Sequence, residues 1–121
     1  MLTRSADAPV HTTPNATMRT LAAPSLGASG LSVWEVAMAE GAAGPAHRVD
    51  AEQVWVLLEG RLRVELDGRV MAPEAGDALT LPAGAERRVS AATAVRALVS
   101  SPAAPTVTTE DGGARPLPWA A

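Results

Sequence analysis

The chain contains no cysteine, no lysine, no phenylalanine and no tyrosine. The absence of cysteine excludes a disulfide framework, a thiolate nucleophile and any metal site built from thiolates. The absence of lysine excludes Schiff-base chemistry on a side-chain amine. Only three tryptophans supply large aromatic rings, so the core of this 121-residue chain has to be built from leucine, valine, methionine and alanine.

Long apolar runs and an excess of positive charge are also missing. The formal net charge is -3, whereas a nucleic-acid-binding protein needs a clustered basic face. No apolar run is long enough to cross a bilayer, and the N-terminus lacks the continuous apolar segment of a signal peptide. We therefore expect one globular domain in the cytoplasm, with neither a membrane nor a nucleic acid as its partner.

What the sequence does contain is a series of short apolar segments bounded by glycine and proline. The stretch 41–60 begins with a turn rich in these residues, presents His47, and continues into the apolar run 54–58. A run of this length, rich in β-branched and aromatic residues, is typical of a buried strand. In residues 31–39 the alternation predicts a strand whose buried face carries Trp34, Val36 and Met38.

The turn signals complete the fold-class prediction. Glu59 and Gly60 predict a tight hairpin, and Asp67 followed by Gly68 is one of the strongest short hairpin signals. No segment shows a helical period with caps. Short strands separated by turn residues predict an all-β protein, either a sandwich or a barrel.

The chain divides into three predicted parts. Residues 1–16 show no period and should form an N-terminal arm that is flexible or draped over the surface. Residues 17–109 form the barrel, and residues 110–121 form a tail anchored by Trp119. We expect the segment 17–24 to be an unpaired edge strand that adds to a partner's sheet, which together with the apolar tail predicts a homodimer.

Two spaced motifs run through the predicted barrel. The first, G-x5-H-x-H-x3-E-x6-G, falls without a gap on Gly41, His47, Val49, Gln53 and Gly60. The second, G-x5-P-x-G-x2-H-x3-N, falls on Gly76, Pro82, Gly84, Arg87 and Ala91. Because the turn-forming glycines and the proline fit both motifs, residues 31–99 resemble a small single-domain cupin. The resemblance implies a jelly-roll β-barrel.

The resemblance also bears on metal binding, because four motif positions supply the ligands in metal-binding cupins. In this sequence those positions hold His47, Val49, Gln53 and Arg87. Some cupins use glutamine at the third position, but valine cannot ligate and a permanently charged arginine repels a cation. We therefore expect no cofactor, and a divalent transition metal, if bound, would have only His47 and Gln53 as ligands.

His47 and Arg87 are the candidate catalytic residues. His47 is either a general acid or base in the barrel mouth, or the vestige of a metal site now hydrogen-bonded to Gln53. Arg87 either stabilises an oxyanion on a ligand or pairs with an acid at the rim such as Glu35 or Glu52. A buried arginine without any partner would be too costly.

Six further side chains or motif positions should contact a ligand. They are Gln53, Trp55, Trp34, Val49, Met38 and Leu57. The two tryptophans either form an apolar stacking wall for a planar substrate or simply fill a core that has few other rings.

Three functions remain open at this level. The first is a metal-independent enzyme that performs proton transfer, such as cyclisation, isomerisation or dehydration, on an oxygen-rich hydrophobic substrate such as a polyketide intermediate. This possibility follows from the resemblance, since small cupins include polyketide cyclases and sugar isomerases. The alternatives are a barrel that binds a small ligand without catalysis and a metal-dependent cupin with a reduced ligand set.

Overall fold

The computed structural model describes all 121 residues, and its regular structure consists almost entirely of strands. The twelve strands are β1 (Val10–Thr12), β2 (Thr17–Ala22), β3 (Leu31–Met38), β4 (His47–Val49), β5 (Gln53–Glu59), β6 (Leu62–Leu66), β7 (Arg69–Met71), β8 (Ala78–Leu81), β9 (Arg87–Ala91), β10 (Val95–Pro102), β11 (Thr106–Thr109) and β12 (Ala114–Pro116). Three single-turn 3-10 helices occupy Ser5–Asp7, Pro24–Leu26 and Pro118–Ala120. No helix in the structure could span a membrane.

The strands form two antiparallel sheets that face each other. The first sheet has the order β1-β2-β3-β10-β5-β8, and the second has the order β12-β11-β4-β9-β6-β7. Strands that follow one another in the chain often lie in different sheets, as β4 and β5 do. This arrangement is the jelly-roll barrel, and it confirms the predicted all-β class.

One hydrophobic core fills the space between the sheets. On β3, Trp34, Val36 and Met38 are all buried, which confirms the face predicted from the alternation. The centre of β10 contributes Ala97 and Val99, whose side chains are fully enclosed. Valine and leucine suit a pleated, buried surface, so the chain builds this core without phenylalanine or tyrosine.

The two predicted hairpins have different outcomes. Asp67 and Gly68, with φ values of 48° and 82°, join β6 to β7 in the two-residue turn that the sequence predicted. The prediction of a hairpin at Gly60 is wrong, because β5 pairs with β8 and β10 while β6 pairs with β7 and β9 in the other sheet. Gly60 is instead the point at which the chain passes from one sheet to the other. Its φ is 82°, and a Cβ atom there would collide with the carbonyl oxygen of Ala94.

The N-terminal residues add a strand that the sequence did not predict. Strand β1 pairs with β2, with Val10 opposite Arg19, so β2 is not the unpaired edge strand expected at 17–24. The edge of this sheet is β1 itself. The homodimer stays a prediction, but the strand that was expected to pair with a partner subunit is already paired with β1.

The C-terminal tail is fastened to the first sheet through backbone carbonyl groups. The Thr20 hydroxyl donates a hydrogen bond to the Trp119 carbonyl oxygen at 2.7 Å, and the Ser32 hydroxyl donates to that of Ala120 at 2.6 Å. Leu117 and Ala120 are buried against the core. These contacts fix the last residues over one end of the barrel.

Candidate functional site

A cavity of about 550 Å³ opens between the two sheets, a volume typical of small-molecule sites. Two sets of residues enclose it. The first, here called the barrel wall, lies on the strands and includes Trp34, Met38, His47, Val49, Gln53 and Trp55. The second, the terminal wall, consists of residues 13–16 and 115–119. The surface between them is mostly apolar, with a few polar groups that could orient a ligand.

His47 begins strand β4 and lies half-buried in the barrel wall. Its Nδ1 atom is 2.9 Å from the Pro45 carbonyl oxygen. A carbonyl oxygen can only accept a hydrogen bond, so Nδ1 carries the proton and Nε2 keeps its lone pair. The vestigial-site interpretation expected a hydrogen bond between His47 and Gln53, but the structure has none. The Nε2 atom of His47 has no hydrogen-bond partner in the protein.

The surroundings of His47 favour the neutral imidazole. Burial lowers the pKa of His47 below its ordinary value, and the nearby positive charge of Arg87 lowers it further. The bond to the Pro45 carbonyl opposes both effects but does not cancel them. A neutral imidazole with a free Nε2 at physiological pH has the protonation state that a general base requires.

Gln53 is the most informative side chain of the site. Its Oε1 atom accepts hydrogen bonds from Arg87 Nη1 at 3.1 Å and from Trp55 Nε1 at 3.0 Å. Guanidinium and indole groups can only donate, so the amide oxygen has to face them and the Nε2 hydrogens have to face the other way. Gln53 lines the cavity, and no protein acceptor bonds to its Nε2. The amide is thus a free donor for a ligand oxygen.

Arg87 lies behind Gln53 instead of lining the cavity. Its side chain is 1% exposed and donates to the carbonyl oxygens of Pro82 and Ala85, both at 3.3 Å, as well as to Gln53. It pairs with neither acid suggested by the sequence, since Glu35 bonds to Arg96 at 3.2 Å and Glu52 has no ion pair. The rim-acid alternative was therefore wrong for this residue, and the ligand-anion alternative stays a prediction for a side chain that does not line the cavity.

Arg87 is a buried cation without a carboxylate partner, which is unusual and affects its pKa. Burial lowers the pKa of Arg87 to about 10, while the charge of Asp67 acts in the opposite direction. The guanidinium therefore stays protonated at neutral pH. It is stabilised by an amide oxygen and two backbone carbonyl groups, all of which present partial negative charge to it.

The remaining predicted ligand contacts separate into two groups. Trp34, Trp55, Val49 and Met38 line the cavity together with His47 and Gln53. Leu57 is buried in the core and does not reach the cavity, although it shares a strand face with Trp55. The strand alternation gave the correct face for Leu57, but not its depth along the barrel.

The sequence did not indicate the terminal wall as part of the site. Asn15, Thr13 and Arg115 lie in segments without hydrophobic periodicity, so no pattern marked them as cavity residues. Trp119 was expected only as an anchor, and its ring also lines the cavity. The apolar run 117–119 was the one signal in the tail.

The residues at the motif positions do not fit a metal centre. The structure contains no group of three or more histidine, cysteine, aspartate or glutamate side chains that could hold a metal ion. The only ligand atom of Gln53, its Oε1, is occupied by two N–H donors and lies 3.1 Å from a guanidinium nitrogen. Val49 offers no donor atom, which leaves His47 Nε2 alone.

The comparison with protein families agrees with the jelly-roll fold. The model of the cupin domain matches residues 34–101, which is more than half of the chain. The chain therefore belongs to the cupin family. A search among curated proteins gives no match to its sequence.

Solved structures share the fold. The polyketide cyclase RemF from Streptomyces resistomycificus matches with a TM-score of 0.73 and 23% identity over 84% of this chain and 80% of the cyclase. An RmlC-like cupin from Shewanella frigidimarina matches with a TM-score of 0.74 and 18% identity over 84% of this chain and 88% of that protein. Salicylate 1,2-dioxygenase from Pseudoaminobacter salicylatoxidans matches with a TM-score of 0.68 and 19% identity over 77% of this chain and 26% of the dioxygenase.

Proposed function

We propose that this cupin is a metal-independent enzyme that catalyses proton transfer on a hydrophobic, oxygen-rich small molecule. One observation carries the proposal: the barrel wall presents a neutral imidazole with a free Nε2 beside an amide whose N–H groups have no protein acceptor. A base and a hydrogen-bond donor that face the same apolar cavity are the minimum required to form and stabilise an enolate.

The reaction begins at a C–H bond next to a substrate carbonyl group. His47 Nε2 takes the proton, the electron pair of the bond forms the enolate, and the enolate oxygen accepts a hydrogen bond from Gln53 Nε2. The imidazolium then returns the proton. It goes to another carbon in an isomerisation, to a departing hydroxyl group in a dehydration, or to the alkoxide formed when the enolate carbon attacks a second carbonyl in an aldol-type cyclisation.

Arg87 is a positioning residue in this mechanism. Its hydrogen bond to Oε1 fixes the orientation of the Gln53 amide, and its charge draws electron density toward that oxygen. Polarisation in this direction strengthens the N–H groups as donors, because linked hydrogen bonds reinforce one another in a medium of low dielectric constant. Trp55 contributes a second donor to the same oxygen and keeps its ring at the cavity surface.

The apolar surface supports a planar, hydrophobic substrate. Trp34 and Trp55 both line the cavity, and aromatic rings pack well against unsaturated ligands. The likeness to the polyketide cyclase concerns the fold, so a polyketide intermediate enters as one member of the proposed substrate class.

The test uses EDTA-treated protein and an aryl β-diketone, benzoylacetone, as the probe. Protein-catalysed exchange of its acidic C–H for deuterium is followed by NMR. We expect His47→Ala to lower the catalysed exchange rate by about 100-fold or more, because general base catalysis contributes that much. Arg63→Ala, on the exposed face of β6, is the matched control and should exchange at the unaltered rate. An unchanged rate in His47→Ala would contradict the mechanism.

A non-catalytic binding barrel is the second candidate function, and one observation favours it. His47 is the only side chain lining the cavity that titrates near neutral pH, so any reaction must use one group as both base and acid. For a binding barrel, benzoylacetone would quench tryptophan fluorescence saturably and be recovered with its C–H bonds unexchanged.

A further inference from the structure

The acidic side chains of the protein avoid the cavity. The chain has 13 aspartates and glutamates, and none of them lines it, although the net charge of the chain is negative. Four acids gather instead around a separate depression on the other side of Arg87. They are Glu65, Asp67, Glu86 and Glu110. The cavity thus differs from the depression beside it in having no negative charge in its lining.

Arg115 supplies a positive charge at the mouth of the same cavity. It lies on β12 directly opposite Val107 of β11, and Val107 is buried and lines the cavity. Residues opposite one another in an antiparallel pair share a face, so the stem of Arg115 lies over the cavity and its guanidinium reaches water at the rim.

This guanidinium has no ion-pair partner. The four salt bridges of the structure involve Arg48, Arg63 and Arg96, and none involves Arg115. The Oδ1 atom of Asp111, nearby in the tail, accepts hydrogen bonds from the Thr109 hydroxyl and the Gly113 N–H, and this carboxylate interacts with Arg115 through its charge without forming a salt bridge. Arg115 is therefore an exposed cation without a direct carboxylate contact, above an apolar cavity that no acid lines.

The register gives the distance between this cation and the reactive end of the site. Arg115, Val107 and Val49 lie side by side on three neighbouring strands, and His47 lies two residues along β4 from Val49. With strands about 4.8 Å apart and a rise of about 3.3 Å per residue, the Arg115 and His47 backbones are separated by roughly 12 Å. Both residues lie on the face of the sheet that lines the cavity, so a ligand that contacts both has to span a distance of this order, which is that of two or three fused rings.

We infer that the cavity selects an anionic ligand, a fused-ring aromatic carboxylate whose acid group binds Arg115 while an oxygen at its far end binds Gln53. Only one part of this inference, the role of the far oxygen, rests on the proposed function. Guanidinium and carboxylate groups form charge-assisted, two-pronged hydrogen bonds, which neutral esters cannot form. The rings stack in the apolar space between the barrel wall and the terminal wall. Arg115 is in this arrangement the residue that determines specificity.

The test compares 6-hydroxy-2-naphthoate with its methyl ester by isothermal titration calorimetry on the full chain. We expect the carboxylate to bind about tenfold more tightly than the ester, the effect of one partly exposed charge-assisted contact. Arg115→Met should abolish this preference, because the affinity for the carboxylate should fall by about tenfold. The control Arg69→Met, at an exposed position on β7, should keep the preference. Added salt should weaken carboxylate binding more than ester binding.

The outcomes separate the two proposals. Equal affinity of the wild-type protein for acid and ester, or a preference that survives in Arg115→Met, would overturn the inference and leave the proposed chemistry intact. Saturable binding of neither compound would count against both, because the cavity would then not accept a hydroxylated fused-ring ligand. Loss of deuterium exchange in His47→Ala together with equal binding would show that the chemistry stands and the charge selection does not.

Discussion

The barrel wall and the terminal wall enclose the same cavity but are held in place by different forces. In the barrel wall, β4 and β5 are paired with strands on both sides, so His47 and Gln53 stand on backbone that is fixed by sheet hydrogen bonds. In the terminal wall, β12 is an edge strand, and the last residues are held by the hydroxyl groups of Thr20 and Ser32 and by a few backbone hydrogen bonds outside the sheets.

This difference separates two tasks. A reacting proton has to be transferred over a short and well-defined distance, which requires side chains on rigid elements. A ligand also has to enter and leave, which requires that part of the enclosure open at low cost. The protein places its base and its amide donor in the first wall and its unpaired cation, Arg115, in the second.

The largest effect is expected when the barrel wall loses the partner of its buried cation. Gln53→Leu removes the acceptor of Arg87 Nη1 and of Trp55 Nε1 and leaves the charge enclosed. We expect the free energy of unfolding to fall by about 3–5 kcal/mol, the cost of breaking a buried charged contact from one side. Urea denaturation followed by far-ultraviolet circular dichroism measures it.

A double-mutant cycle tests whether the loss of stability in Gln53→Leu comes from the buried, unpaired charge of Arg87. Arg87→Met removes the charge together with its need for acceptors, so in the Gln53→Leu background it should restore about 1–3 kcal/mol. Additive single and double substitutions would show that Gln53 and Arg87 do not act as a unit, contrary to the geometry.

The terminal wall should respond locally and more weakly. Thr20→Val and Ser32→Ala remove the two hydroxyl donors to the tail, and each should cost about 1 kcal/mol. Hydrogen exchange followed by mass spectrometry should become faster in residues 113–121 of the double variant, while residues 47–57 keep their protection. Ser90→Ala, whose hydroxyl bonds to Arg63 on the far sheet, is the control. Faster exchange throughout the barrel would show that the two walls are not independent.

The smallest effect is the pH dependence contributed by His47. Burial lowers its pKa, whereas in the unfolded chain the imidazole titrates near about 6.5. Between the two values the unfolded chain binds the proton and the folded protein does not, so the free energy of unfolding decreases as the pH falls through this window. The decrease is complete below the folded pKa and absent above about 6.5.

NMR titration of the ring protons of His47 measures this pKa directly, with the resonance assigned by its absence in His47→Gln. The midpoint should lie below the ordinary histidine value, and deuterium exchange of the diketone should decline in acid with the same midpoint. A midpoint well above neutral pH would mean that the imidazole is charged there and would contradict its role as the base.

The barrel wall could be predicted from the sequence because local patterns determine it. Alternation gave the buried face of Trp34 and Met38, and the spacing of Gly41, Gly60 and Pro82 gave the cupin motifs that bring positions 47, 53 and 87 to one end of the barrel. The Asp67–Gly68 turn could be predicted because this residue pair favours the positive φ values that a two-residue hairpin requires, and both residues adopt them.

The remaining features depend on contacts between distant segments. Whether Gly60 forms a hairpin or connects two sheets is decided by the approach of Ala94, which lies more than thirty residues further along the chain. Two of the three hydrogen-bond partners of Arg87 are backbone carbonyl groups in a turn, which have no signature in side-chain patterns. The C-terminal part of the terminal wall is held because its backbone carbonyl groups accept hydrogen bonds from hydroxyl groups on β2 and β3.

All three tryptophans line one cavity, and the chain has no tyrosine or phenylalanine. The near-ultraviolet circular dichroism of the folded protein therefore arises almost entirely from the surface that would receive a ligand. An occupant, a loosened tail or a reoriented amide beside Trp55 would each alter that spectrum, while damage elsewhere in the barrel would leave it in place. The tryptophans are thus an intrinsic spectroscopic probe of the cavity in which the reaction is proposed to occur.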